Sequence, residues 1–281
     1  MSGRGWREVG DRVFRRRYDS LDLNVGAVLG DDEVLVVDTR SFAAEAAELV
    51  ADLRGLTPLP CRKVVNTHAH FDHCFGNATL RPAAIWGHER CVAHLRTRAD
   101  TEREHARRWL PEAAAALEAV ELDPPDRPVG DAGTDLLVGG RRVELRWCGR
   151  GHTDNDLVVV VPDAGVVFAG DLVEEGAPPV YGADAFPLAW PATVDRLLAL
   201  APPTIVPGHG EVVGHGFVRG QRDQLAAMAE LCRRVAAGEL PAGKAVASAP
   251  FPGEVARQAL ALSARAAWPA GGAAPGTARP G

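Results

Sequence analysis

The chain has 281 residues, 46% of them hydrophobic, so it can bury a sizeable core. Its net charge of -6 argues against a nucleic-acid partner. Five cysteines, Cys61, Cys74, Cys91, Cys148 and Cys232, form no CxxC pair; they read as reduced, mostly buried thiols of a cytoplasmic protein.

The opening stretch, MSGRGWREVGDRVFRRRYD, is basic but has no apolar run. No signal peptide or membrane span is expected. DRVFRRR, LNVGAVLG and DDEVLVVDT read as antiparallel strands, split by Gly and Asp. The run Arg15–Arg17 reads as a solvated strand edge. SFAAEAAELVADLRGL has helical spacing, with Ser41 as N-cap and Gly55 as its close. RKVVNT is then a strand that runs into HAHFDH, which sets His68, His70, Asp72 and His73 in the loop at its end. Each of these is costly to bury unpaired, and all of them bind a borderline metal. Cys74, beside them, is a lesser candidate.

Residues 88–120 are helical in pattern, which puts His88, His94 and His105 on ordinary helix surface. DPPDRPVGDAGT reads as a Pro/Gly loop. Three further strand regions follow, DLLVGGRRVELRWC, DLVVVVPDAGVVFAG and TIVP, with a helix, WPATVDRLLAL, before the last. Two C-terminal helices close residues 1–268, read as one domain; the tail 269–281 reads as disordered. His152 in GHTDND, Asp171 in AGDL and His209 in PGHG each lie just past one of these strands, beside a glycine that lets the backbone turn close to an ion. Five histidines and two aspartates exceed one tetrahedral zinc and suit two ions. An aspartate can bridge such a pair, because it has two oxygens.

HAHFDH, GHTDND, AGDL and PGHG together resemble the signature of the metallo-β-lactamase superfamily, over roughly residues 13–231. The resemblance implies an α/β fold, a four-layer αββα sandwich, with two divalent metals at one edge, most simply zinc, with iron or manganese as alternatives. Matched residue by residue, His68, His70 and His152 fall at the first site, Asp72, His73 and His209 at the second, and Asp171 at the bridge. Asp72 would also orient the nucleophile. An aspartate at the bridging position resembles the glyoxalase II-like hydrolases more than the zinc β-lactamases. The implied chemistry is hydrolysis of an acyl bond in a small molecule, by a water whose pKa two close ions lower from 15.7 toward about 7. A one-iron persulfide dioxygenase-like enzyme, a β-lactamase and a non-catalytic metal-binding module are the alternatives. The loop 172–189 is expected to wall the pocket, with Tyr181, Phe186, Trp190 and His215 as candidate substrate contacts and Glu174 and Glu175 turning polyanions away.

Overall fold

The computed structural model describes residues 5–200 and 203–266; the tail 269–281 lies outside them. A seven-stranded sheet holds β1 (Trp6–Gly10), β2 (Val13–Arg17), β3 (Asn24–Leu29), β4 (Val34–Val37), β5 (Cys61–Val65), β6 (Ala84–His88) and β7 (Arg127–Val129) in that spatial order. Its first four strands are antiparallel and its last four parallel. A five-stranded sheet holds β8 (Thr134–Val138), β9 (Arg141–Trp147), β10 (Leu157–Val161), β11 (Val166–Glu174) and β12 (Thr204–His209), in the order β12-β11-β10-β9-β8. β11 and β12 are parallel and the other neighbours antiparallel.

Strand periodicity explains why the two sheets stack. Leu157, Val159 and Val161 of β10 enter the core between the sheets with Leu35, Val37, Val65 and Phe168. Val158 and Val160, the alternate residues, face outward onto helices. Likewise Val34 and Val36 turn away from Leu35 and Val37 and pack on Leu49 and Leu53 of α1 (Ala43–Leu56). Strands buried on both faces read as unbroken apolar runs, and each such side chain contributes about 1.5–3 kcal/mol. After α2 (Phe71–Cys74) come α3 (Glu89–Thr97), α4 (Ala99–Trp109) and α5 (Ala114–Glu118), which share a smaller core with Phe71 and Phe75. α6 (Trp190–Ala199), α7 (His215–Ala236), α8 (Ala242–Ala247) and α9 (Gly253–Ala266) cover the second sheet. The expected αββα layering is therefore present. No helix among the described residues is long and apolar enough to cross a membrane, and all five cysteines are unpaired.

Several local expectations are corrected. β2 is not an edge, because β1 covers it; Arg15 is buried and paired with Glu211, while Arg16 pairs with Asp52 at 2.8 Å. Ser41 does not cap α1: its own N–H is taken by Glu45 Oε2 at 3.2 Å, and the helix runs through Gly55 to Leu56. His88 ends strand β6 and is fully buried, not on helix surface, and the Pro/Gly loop contains β7.

Candidate metal centre

The sheet ends deliver the seven candidate ligands from two directions. β5 leads into the loop and short α2 that carry His68, His70, Asp72 and His73; the second sheet supplies His152 after β9, Asp171 within β11 and His209 at the end of β12. Asp171 was expected past its strand, but β11 continues to Glu174. Gly170, at φ 54, breaks the register with β12 and turns Asp171 out of the ladder. Gly208 on β12 completes the space, since a Cβ there would collide with Asp171 Oδ1.

His68, His70, His152 and Asp171 present donor atoms within 4.8 Å of one another, and Asp72, His73 and His209 do the same. Asp171 reaches both groups: Oδ1 lies 3.2 Å from His73 Nε2, and Oδ2 lies 3.3 Å from His209 Nε2, 3.5 Å from His152 Nε2 and 3.7 Å from His68 Nε2. Asp72 Oδ2 sits 3.4 Å from His209 Nε2 and 3.5 Å from His73 Nε2. Two ligands on one tetrahedral zinc with bonds near 2.1 Å stand about 3.4 Å apart, so these spacings suit shared ions. The buried atoms that lack any hydrogen-bond partner include His68 Nε2, His73 Nε2 and Asp171 Oδ1. Orphaned polar atoms cost free energy, and these converge where a cation would satisfy them. The donor set therefore fits two divalent metals. Cys74 does not belong to it; its thiol donates to the carbonyls of His70 and Ala69, and burial pushes its pKa well up.

The far nitrogen of each ring is fixed by a second partner, which leaves the near one for the centre. His73 Nδ1 lies 2.9 Å from Asp38 Oδ2, and Asp38 also accepts the N–H and hydroxyl of Thr67 at 2.7 and 2.9 Å. His70 Nε2 stands 3.3 Å from both oxygens of Asp184. His209 Nδ1 faces the Leu21 carbonyl at 2.7 Å, and His152 Nδ1 the Val180 carbonyl at 3.2 Å. Asp38 and Asp184 were not singled out from the sequence. Asp38 does stand at a strand end in VVDT, the placement that marked the other aspartates; nothing local marks Asp184.

Charge within the cluster is strongly redistributed. Burial opposes protonation of His70 and His209, but Asp184 outweighs it at the first and Asp171 at the second, and each pKa rises to about 10. Burial would raise the pKa of Asp171, yet His73, His209 and His68 hold it well below the usual carboxylate range. Metal binding needs the neutral imidazole, so it must displace the protons of His70, His209 and His73, whose pKa Asp171 also holds well above its ordinary value against burial. Because their pKa values are raised, those protons are still held at pH 7. Loading at pH 7 is expected to release protons, and apparent affinity to climb with pH toward about 10; titration in a weakly buffered indicator solution reads both.

A cavity of about 210 Å³ opens beside the ligands, and His70, Asp72, His152, Asp171 and His209 line it. Its apolar wall is Leu21, Phe71, Trp109, Ala177 and Val180, not the expected aromatics. Trp190 is fully buried behind His152, ring centroids 5.5 Å apart, with its indole N–H on the Leu172 carbonyl at 3.2 Å. Tyr181 is buried against Trp190 and Phe251 and borders an outer cleft. Phe186 lies under the Arg150 guanidinium, and His215 opens α7; neither lines this cavity. The wall comes from the first part of the 172–189 loop, Glu174–Ala177 and Val180. Glu174 Oε1 accepts the Val180 N–H at 3.0 Å and so pins that segment; burial, then Asp171, lifts its pKa to about 8. His105, expected on open helix surface, lines the cavity with its ring 5.7 Å from that of His70, and His94 Nε2 is 2.8 Å from Glu102 Oε1.

The profile of the Metallo-beta-lactamase superfamily matches residues 21–209. Over 168 residues the chain is 28% identical to the metallo-beta-lactamase type 2 of Bacillus cereus, an alignment covering 58% of this chain and 57% of that protein. It is 33% identical over 95 residues to the type 2 enzyme of Bacteroides fragilis, covering 31% of this chain and 38% of that one. The chain thus spans at most 57% of the length of these curated relatives. Among solved structures, the sec-alkylsulfatase Pisa1 from Pseudomonas sp. superposes with a TM-score of 0.73 at 17% identity, covering 92% of this chain and 49% of that chain. The metallo-beta-lactamase FIM-1 from Pseudomonas aeruginosa superposes with a TM-score of 0.61 at 22% identity, covering 80% and 95%. At these identities the structural likeness speaks for the fold. The matched span begins at Leu21, whose carbonyl faces the His209 ring, and ends at His209 itself, and by that match the protein belongs to the metallo-β-lactamase superfamily.

Proposed function

We propose that the protein is a metal-dependent hydrolase that holds two divalent ions and cleaves an ester, thioester, lactone or related acyl bond of a small molecule. The supporting observation is Asp171, a single carboxylate within 3.2–3.7 Å of His68, His73, His152 and His209. Two ions bound there would supply an acidified water and a positive seat for the charge that develops on the acyl oxygen. The chain's own groups account for the rest. Asp72 lines the cavity with Oδ2 beside His209 and His73, where it can orient a water and take its proton. Asp38 and Asp184 keep the His73 and His70 rings in place. Phe71 and Val180 keep bulk water from one side of the reacting carbonyl.

The aspartate at 171 supports a glyoxalase II-like dinuclear branch. β-Lactam hydrolysis is the second reading, supported by the names of the curated relatives. The test combines metal analysis of purified protein with a hydrolysis panel. We expect two zinc-like ions per chain, and a higher kcat/KM on a simple thioester or lactone than on a penicillin or carbapenem. Faster turnover of a β-lactam would move the assignment to the second reading. One iron with oxygen consumption, or no bound metal, would sink both.

A further inference from the structure

Two hollows meet beside the candidate ligands. The inner one is the cavity of about 210 Å³; the outer is a cleft of about 900 Å³ between α4, residues 177–184 and α9. His105, Trp109, Ala177 and Val180 border both, so they form the neck between them. Trp109, the last residue of α4, is 51% exposed. Its indole N–H donates to His105 Nε2 at 3.0 Å, and the His105 ring stands edge-on to Phe71 at 6.0 Å. The polar edge of the indole is satisfied by the neighbouring His105, while its ring is left at the neck with apolar area to cover.

The charges around the inner cavity point to what covers it. No Lys or Arg is among the described residues that line it. Besides the candidate ligands, its carboxyl groups are Asp22, Glu174 and Glu175. Asp22 is paired with Arg17 at 2.7 Å, and Glu175 takes the Glu211 N–H at 2.7 Å. On the side of the cavity away from the candidate ligands, an anionic acyl substituent would find no Lys or Arg in the wall and would meet the carboxyl groups of Asp22, Glu174 and Glu175. Burying a charge without a partner is costly, whereas an apolar group gains from the same walls.

We infer, building on the hydrolytic reading above, that Trp109 is a specificity-determining residue. Its ring receives an uncharged aryl or alkyl acyl group in the inner cavity, and the remainder of the substrate occupies the outer cleft. The substrate class is then a neutral ester, thioester or lactone with no charge adjacent to the scissile carbonyl. Calorimetric titration of the metal-loaded protein with an uncharged aryl methyl ketone, which cannot be hydrolysed, tests the subsite without turnover. Trp109→Ala should weaken this binding by about tenfold or more, and Trp109→Phe should recover most of it, with metal content unchanged in both. In steady-state kinetics the Ala variant should lose the preference for an aryl over an acetyl thioester through KM, not kcat. Unchanged ketone binding in Trp109→Ala would overturn the assignment. So would a wild-type preference for an alkyl sulfate, or for a carboxylate-bearing ester, over the neutral counterpart. Should the wild type hydrolyse nothing, the hydrolytic reading fails, and the ketone titration alone decides the subsite.

Discussion

Replacing Asp171 with asparagine is expected to strip metal from both donor groups at once. Asparagine keeps the size of the side chain but turns one oxygen into an N–H donor, which cannot ligate. Oδ1 serves His73, and Oδ2 serves His209, His152 and His68, so whichever way the amide faces one side loses its oxygen ligand outright and the other keeps only a neutral amide oxygen, a weaker ligand than a carboxylate. The buried rings also lose the charge that lifts the pKa of His209 to about 10 and that of His73 well above its ordinary value against the pull of burial. Bound metal under a competing chelator should fall from two ions to less than one, and hydrolysis by about 10²–10³-fold, the scale set by removing one donor that acts on developing charge. His209→Ala, which touches only the second group, should spare the first ion. Full occupancy and activity in Asp171→Asn would show that the carboxylate does not bridge.

Asp38→Asn should give the second-largest loss, although Asp38 reaches no substrate. Its φ of 67° tolerates asparagine, so backbone strain does not confuse the result. Three donors converge on the carboxylate: the Thr67 N–H, the Thr67 hydroxyl and the His73 ring. An amide offers one acceptor oxygen and therefore sets its own N–H against one of them. If that one is His73, the ring must accept at Nδ1, the proton moves to Nε2, and the ring can no longer ligate there. Metal affinity of the second group should drop about 10–100-fold, the usual cost of losing such an outer partner. The first ion should be retained, so stoichiometry near one at limiting metal is the signature. Retention of both ions at wild-type affinity would mean that Asp38 serves folding alone.

The contrast between these two aspartates marks what could be read from the chain. The seven donors stood out because metal-binding residue types are rare in such density, and because they follow apolar strands, with a glycine just before His152, Asp171 and His209; that pattern is local. Asp38 follows a strand too, but its partner His73 is thirty-five residues away, and no spacing rule reveals the contact. His105 and Trp109 were hidden for a similar reason. Helical periodicity says that they share a face of α4, not that α2 and the 175–180 segment close over it. Tyr181 and Trp190 erred the other way: aromatic residues near the site in sequence, drawn beneath it by the apolar core of the second sheet. The fold was legible wherever an apolar, β-branched run was strong, as in β10. It was lost in β1, β6 and β7, which are short, carry glycine or proline, and owe their place to neighbouring strands.

The division of the donors between the two sheets has a consequence for how the chain could be taken apart. Gly130–Gly133, the turn between β7 and β8, separates everything that carries His68, His70, Asp72 and His73 from everything that carries His152, Asp171 and His209. A nick there would leave two fragments, each with an incomplete half of both donor groups. Their apolar faces would still match, but only a docked pair would present a full coordination shell. Metal concentration would then act as a dial on complementation: the fragments would find each other weakly without it and lock together as it rises. The centre is in that sense a clasp as much as a reaction site, and reassembly of a split chain would report ion binding without any substrate at all.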